Sequence, residues 1–151
     1  MAQAFDLNMI IPYQILSNQQ IPNVQLVPNP LFVKVLDDRI VGSVGAQVVY
    51  VRQVRCELWK IELLVLPDYR RRGHGTELLD HACCILETQS PTHVKGLFLL
   101  VGDMDLQQQK KEAIWPRLNF VYLGNTGSGA HIRVRYFRHQ PPSPTFQPVV
   151  Q

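Results

Sequence analysis

Cysteine is scarce: Cys56, Cys83 and Cys84 are an odd number, two of them adjacent, with no framework spacing. That argues against a disulfide scaffold and for a reducing compartment, here expected to be the cytoplasm. Net charge is small, 15 Lys and Arg against 12 Asp and Glu, so nothing in the overall balance calls for nucleic acid and any cationic site must be local. No apolar run approaches the roughly 20 residues that cross a bilayer. The N-terminus has neither the basic start nor the small-residue cleavage pattern of a signal peptide, so the chain is expected to be soluble, unprocessed and without a membrane partner. Internal repeats are missing too, and 151 residues suffice for one core but not comfortably for two, so residues 1–151 are expected to form a single domain.

What is present is an ordered alternation of patterns. Residues 1–30 hold four of the eleven prolines and many Asn and Gln, which disfavours long helices, although residues 5–11 fit a strand. From Leu31 the pattern is β. Residues 31–36, a polar turn at Asp37 and Asp38, and residues 39–51 make a hairpin, with Gly42 and Gly45 as bulge candidates. Residues 56–66 form another strand ending against Pro67; its last five residues are mostly apolar, as in a central strand covered on both faces. After Gly75 the residues Leu78, Leu79, Ala82, Cys83, Ile85 and Leu86 share one helical stripe, which leaves Glu77, Asp80, His81 and Glu87 facing out to about Thr88. A buried strand over 97–102 completes a βαβ unit with parallel strands. A second helix over about 105–115 and two strands flanking a turn at 125–130 follow. Residues 139–151 are a Pro-rich tail.

Between the strand and its helix stand Arg70, Arg71, Arg72, Gly73, His74, Gly75 and Thr76. A helix that starts there offers unpaired N–H groups and a partial positive charge to a phosphate. Glycines without Cβ let a pyrophosphate reach the backbone, arginines add forked donors, and Thr76 can cap the helix or bond a phosphate oxygen. Without an anion, three arginines facing a helix N-terminus would only oppose its dipole. The loop is no P-loop, for it lacks GxxxxGK[ST], and it fails the third glycine of the dinucleotide fingerprint.

Arg70 to Gly75 instead meets the [Q/R]-x-x-G-x-[G/A] motif, and the chain resembles the GNAT superfamily of N-acetyltransferases. Leu63 to Pro67 is similar to that family's strand end and residues 115–120 loosely to its Tyr-x-x-Leu-Gly-Phe segment, so the resemblance covers about residues 31–138. It implies an α/β fold of mixed α+β type: a central, mostly antiparallel sheet with a parallel βαβ at its centre, preceded by a short irregular segment (1–30). It also implies acetyl-CoA as acyl donor, held by Leu63, Leu64, Val65 and the loop 70–76, and an amine-bearing acceptor that attacks the thioester directly in a ternary complex. The backbone N–H at Val65 would serve the oxyanion.

An amine near pKa 10.4 needs a base. Glu62 leads, with Glu57, Asp103 and Asp105 as alternatives; Glu62 read as a strand ion pair with Lys60 is the structural option. The family's tyrosine acid is replaced by Trp115, whose indole cannot release a proton, so Tyr122 is the nearest substitute and Trp115 either lines the pantetheine channel or closes the core. Gln108 and Lys111 stand where the family carries Asn and Ala, and Asn119 replaces a glycine. His74 is expected to be a spacer whose backbone matters. His81, Cys83 and Cys84 lack ligand spacing, so no metal is expected. A homodimer is compatible with the short N-terminal segment, since the acceptor wall is open, completed by a second subunit, or lost. Two other functions compete: a CoA-binding regulatory module that has lost turnover, and a nucleic-acid binder using Arg133 and Arg135, for which no aromatic platform is evident in the sequence.

Overall fold

A computed structural model describes residues 9–16, 25–70, 72–102 and 114–138. In chain order the elements are β1 (Met9–Pro12), α1 (Tyr13–Leu16), β2 (Pro30–Leu36), β3 (Arg39–Val51), β4 (Cys56–Val65), a 3-10 turn (Pro67–Tyr69), α2 (His74–Gln89), β5 (Val94–Val101), α3 (Ile114–Arg117), β6 (Val121–Asn125) and β7 (His131–Tyr136). The strands form one mixed seven-stranded sheet in the order β1-β2-β3-β4-β5-β7-β6. The expected fold class holds: β4 and β5 pair in parallel, Glu57 with Val94 and Lys60 with Phe98, while the other registered pairs are antiparallel.

The chain divides into two compact units, Met1–Ala46 with Ile61–Ile85 and Gln47–Lys60 with Leu86–Gln151. In the first, Asp37 and Asp38 both take left-handed φ (50° and 68°), the geometry a two-residue hairpin turn requires. The register of β2 against β3 slips beside both Gly42 and Gly45, where bulges were expected. Ile11, Val33 and Val35 form a small core there. Leu78, Leu79, Ala82 and Cys83 are buried along α2, as their spacing requires, and each fully buried leucine contributes about 1.5–3 kcal/mol.

The second unit's core gathers Val51, Val54, Cys56, Leu58, Phe98, Ile132 and Val134. Its β6–β7 hairpin is closed by Thr126, whose N–H donates to the carbonyl of Ala130 at 2.8 Å. Asn119 takes φ 64° two residues after the end of α3, a left-handed conformation that asparagine tolerates.

Three expectations change. Residues 62–66 are half-buried rather than covered on both faces, because an apolar run records what a strand tolerates and not what lies over it. Glu87 is buried, not outward, since Arg135 reaches it at 3.2 Å. The strand segments expected at 117–120 are instead the last residue of α3 and the turn after it. The expected helix over 105–115 lies outside the described residues as far as 113, as do residues 5–8 of the first strand and the Pro-rich tail. No helix among the described residues is long and apolar enough to cross a membrane.

Candidate functional site

Strand β4 ends at Val65, a 3-10 turn follows, and α2 opens at His74. Leu66 N–H donates to the carbonyl of Val41 at 2.9 Å, which fixes the strand end against β3. Gly73 stands at the cap position. Its φ is +87°, which an L side chain rarely adopts, and its carbonyl accepts the first helical hydrogen bond, from Glu77 N–H, at 3.0 Å.

Helices usually satisfy their first N–H groups with a Ser, Thr, Asp or Asn cap, whose side-chain oxygen occupies the N2 or N3 amide. Glycine has no such oxygen. Among the described residues no acceptor meets the amides of His74, Gly75 or Thr76, nor any partner the Thr76 hydroxyl. A Cβ at Gly73 would meet nothing within 4 Å, so the cap opens to free space. A Cβ on Gly75 would come to 3.4 Å from Val65 and 3.5 Å from Leu63, so this glycine brings the first turn of α2 close over the end of β4.

The arginines are held within the loop. Arg70 donates from Nε to the carbonyl of Val65 at 2.7 Å, and the guanidinium of Arg72 lies 5.8 Å over the ring of Tyr69. Arg71 lies outside the described residues.

Beneath the helix start is a pair that sequence reasoning missed. Lys34 on β2 is 2% exposed, and its Nζ donates to Glu77 Oε1 at 2.5 Å. That hydrogen bond holds the Glu77 carboxyl below its ordinary 4.5, and His74, with Nδ1 at 3.6 Å from the same oxygen, acts in the same direction. Glu77 is thus turned toward buried lysine and away from the cap amides. His74 proves more than a spacer: it is 7% exposed and neither ring nitrogen has a hydrogen-bond partner among the described residues.

Comparison with known proteins decides the family. The profile of the Acetyltransferase (GNAT) family matches residues 5–103, well over half of the chain. The chain belongs to the GNAT acetyltransferase family. Comparison with curated proteins returns no match. Among solved structures, it is similar to the ribosomal-protein-S18-alanine N-acetyltransferase from Escherichia coli, with 21% identity, TM-score 0.53, and coverage of 89% of this chain and 81% of that one. A GNAT superfamily phosphinothricin acetyltransferase from Sinorhizobium meliloti, in complex with AcCoA, gives 15% identity, TM-score 0.57 and coverage of 78% and 67%. Arabidopsis thaliana Naa50, in complex with a bisubstrate analogue, gives 18%, 0.50, and 69% and 70%. At these identities the structures share the fold. Acetyl-CoA is the acyl donor of the family.

The remaining candidates fall in both units. Glu62 is half-buried on β4 and engaged with a neighbour, as is Lys60. Glu57 pairs with His93 at 3.2 Å in the second unit. Asp103, Asp105, Gln108 and Lys111 lie outside the described residues. Tyr122 is 51% exposed, and its hydroxyl donates to Asn125 Oδ1. Trp115 is 6% exposed and packs edge-on to Phe120 at 5.3 Å, the arrangement of a core aromatic, yet its Nε1 has no partner among the described residues. The Arg133 guanidinium lies 6.0 Å from the ring of Trp115 and 5.5 Å from that of Tyr122. Cys83 is buried and Cys84 exposed, and no metal-holding group of three occurs among the described residues.

A cavity of about 560 Å³ in the second unit has an apolar floor that includes Phe98, Leu100 and Ile132, with Arg52 and Lys60 among its polar lining and no carboxylate. A polycationic amine finds no counter-charge there.

Proposed function

We propose that the chain is an N-acyltransferase that moves an acetyl group from acetyl-CoA to an amine by direct attack, within a single domain spanning residues 1–151. The supporting observation is the glycine cap of α2, with its open amides at 74–76 and a Gly75 that lies within contact distance of the end of β4. Such a cap suits a diphosphate better than any internal partner. Leu63, Leu64, Val65 and Arg70 to Thr76 are its binding residues, and β3, β4 and α2, which run unbroken through both compact units, support the single domain.

In this reading Glu62 takes the proton of the incoming ammonium, directly or through a water. The amine nitrogen then forms its bond to the carbonyl carbon, the bond to sulfur breaks, and Val65 N–H steadies the oxyanion as charge develops. Tyr122 is the candidate proton donor to sulfur, its hydroxyl here donating to Asn125. A thiol of ordinary pKa near 8.5 leaves tolerably as thiolate, so turnover survives a poor acid. The cytoplasm, expected from three cysteines without framework spacing, is part of the same reading.

Calorimetric titration with acetyl-CoA, alongside free-thiol release in the presence of a panel of amines, tests the proposal. Binding with amine-dependent release is expected, and Gly75→Glu, whose carboxylate competes for the same amides, loses affinity while circular dichroism reports a folded chain. Unchanged affinity in a folded Gly75→Glu protein rejects the site. A second reading, a CoA-binding module without turnover, is favoured by Trp115 in the acid's place and by the engaged Tyr122 hydroxyl. Binding without thiol release for any amine would select it.

A further inference from the structure

Four side chains of the second unit form one run of ring contacts. Register places Tyr122 directly opposite Arg133 and Asn125 opposite His131 across β6 and β7. The Arg133 guanidinium lies 5.5 Å from the Tyr122 ring and 6.0 Å from that of Trp115, and the His131 ring is 5.0 Å from Tyr122. Within this run Trp115 Nε1, Arg133 Nε and His131 Nδ1 are buried with no hydrogen-bond partner among the described residues.

Two residues further along β7, Arg135 shows what a structural arginine does here. It reaches Glu87 Oε1 and the carbonyl of Leu118, both at 3.2 Å. Arg133 has no carboxylate within ion-pair distance among the described residues. Indole Nε1–H and guanidinium Nε–H are donors only, so the missing partner of each is an acceptor. Beside a guanidinium within cation–π reach of two rings and with its Nε buried, the acceptor with most to gain is an anion. Tyr122 is half exposed and its hydroxyl is tied to Asn125, so the phenol ring is held against Arg133 at the unit's surface.

We propose that Arg133 and Trp115 form a binding site for an oxyanion, the carboxylate or phosphoryl group of a ligand, entered past Tyr122. The site goes beyond the acyl-transfer reading and does not depend on it.

Side-chain nitrogen–proton spectra of the intact protein test it, because the second indole is an internal control: Trp59 Nε1 already donates to Ser90 Oγ at 2.7 Å. Sodium acetate and sodium phosphate are titrated separately, with chloride holding ionic strength constant. The Trp115 Nε1–H and Arg133 Nε–H resonances are expected to move saturably while Trp59 stays still. Saturation by acetate assigns the site to carboxylates, and saturation by phosphate alone assigns it to phosphoryl groups. In Arg133→Gln the Trp115 midpoint should rise about tenfold or more, the loss expected for one charge-assisted hydrogen bond. No shift, a shift that never saturates, equal movement of both indoles, or an unchanged midpoint in Arg133→Gln each overturns the proposal. Should that variant fail to fold, the wild-type titration still decides.

Discussion

Helix α2 is anchored by an ion pair at each end, and the two are built differently. At its last turn Glu87 is buried and Arg135 nearly so, with side chains 8% and 11% exposed, and Glu87 Oε2 also accepts from Arg138 N–H at 2.9 Å. Every charge there has its partners. At the first turn the lysine is buried but Glu77 is 53% exposed, His74 beside it has no hydrogen-bond partner among the described residues, and the cap supplies no oxygen to the helix amides. A saturated network fixes structure, whereas an opening of unspent donors is where a ligand adds most. The closed end of α2 is scaffold and the open end is the candidate site.

The largest effect is expected from breaking the closed end. Glu87→Ala strands Arg135 in the interior and should cost about 3–5 kcal/mol in urea unfolding, whereas Glu87→Leu with Arg135→Met should recover most of it. A full-size loss in the double variant would mean that packing, not charge, holds this end.

Glu77→Ala is expected to cost less, about 1–3 kcal/mol, because half of the carboxylate already faces water. Its pH dependence has a definite sign. The folded carboxyl lies below 4.5, so its contribution is complete above 4.5 and disappears as pH falls through the lower folded value. The gap between wild type and Glu77→Ala should therefore narrow on acidification, and a gap that widens there contradicts the Lys34 pairing.

Gly73→Asp sharpens the comparison at the cap. Its oxygen can occupy the amides at 75 and 76 while its side chain pays for φ +87°, so net stability should stay within about 1 kcal/mol. Acetyl-CoA affinity should fall about tenfold or more, as the cap oxygen takes the ligand's donors. Equal affinity in the two proteins would show that the amides do not bind the diphosphate.

The smallest change concerns the thiols. Exposed Cys84, midway along α2, should alkylate at pH 8 in the folded protein. Cys56 should not, since burial pushes its thiol to about 11, against a smaller opposite pull from Lys95. Mass spectrometry of the modified peptides gives the comparison directly.

Much of this was legible beforehand, for local reasons. The hairpin at Asp37 and Asp38, the α2 stripe and the turn closing β6 on β7 follow from residues within a few positions of one another. The bare loop was legible because glycine has no side chain, but the helix was expected to open after Gly75 with Thr76 able to cap it; that α2 opens at His74 behind Gly73 is set by the loop's tertiary path. The ion pairs were not legible. Lys34 and Glu77 are 43 positions apart, and Arg135 and Glu87 are 48 apart, so no periodicity in one element announces the other. Glu87 sits at the edge of its apolar stripe and was assigned to solvent on that ground alone. The ring contacts of Arg133 were not legible beforehand: a hairpin turning at 125–130 sets Tyr122 opposite Arg133, but Trp115, on α3, is brought to it only by tertiary structure.

By itself the sequence determined the order of elements, the parallel strand and helix, and a glycine- and arginine-rich helix start, because these depend on hydrophobic period and on the chemistry of single residues. Only the tertiary structure decided which charges are spent and which are left over: that buried Lys34 draws Glu77 aside at one end, and that Arg135 is saturated while Arg133 is not. Whether a donor is free is a property of what lies against it, and that is set when distant strands meet.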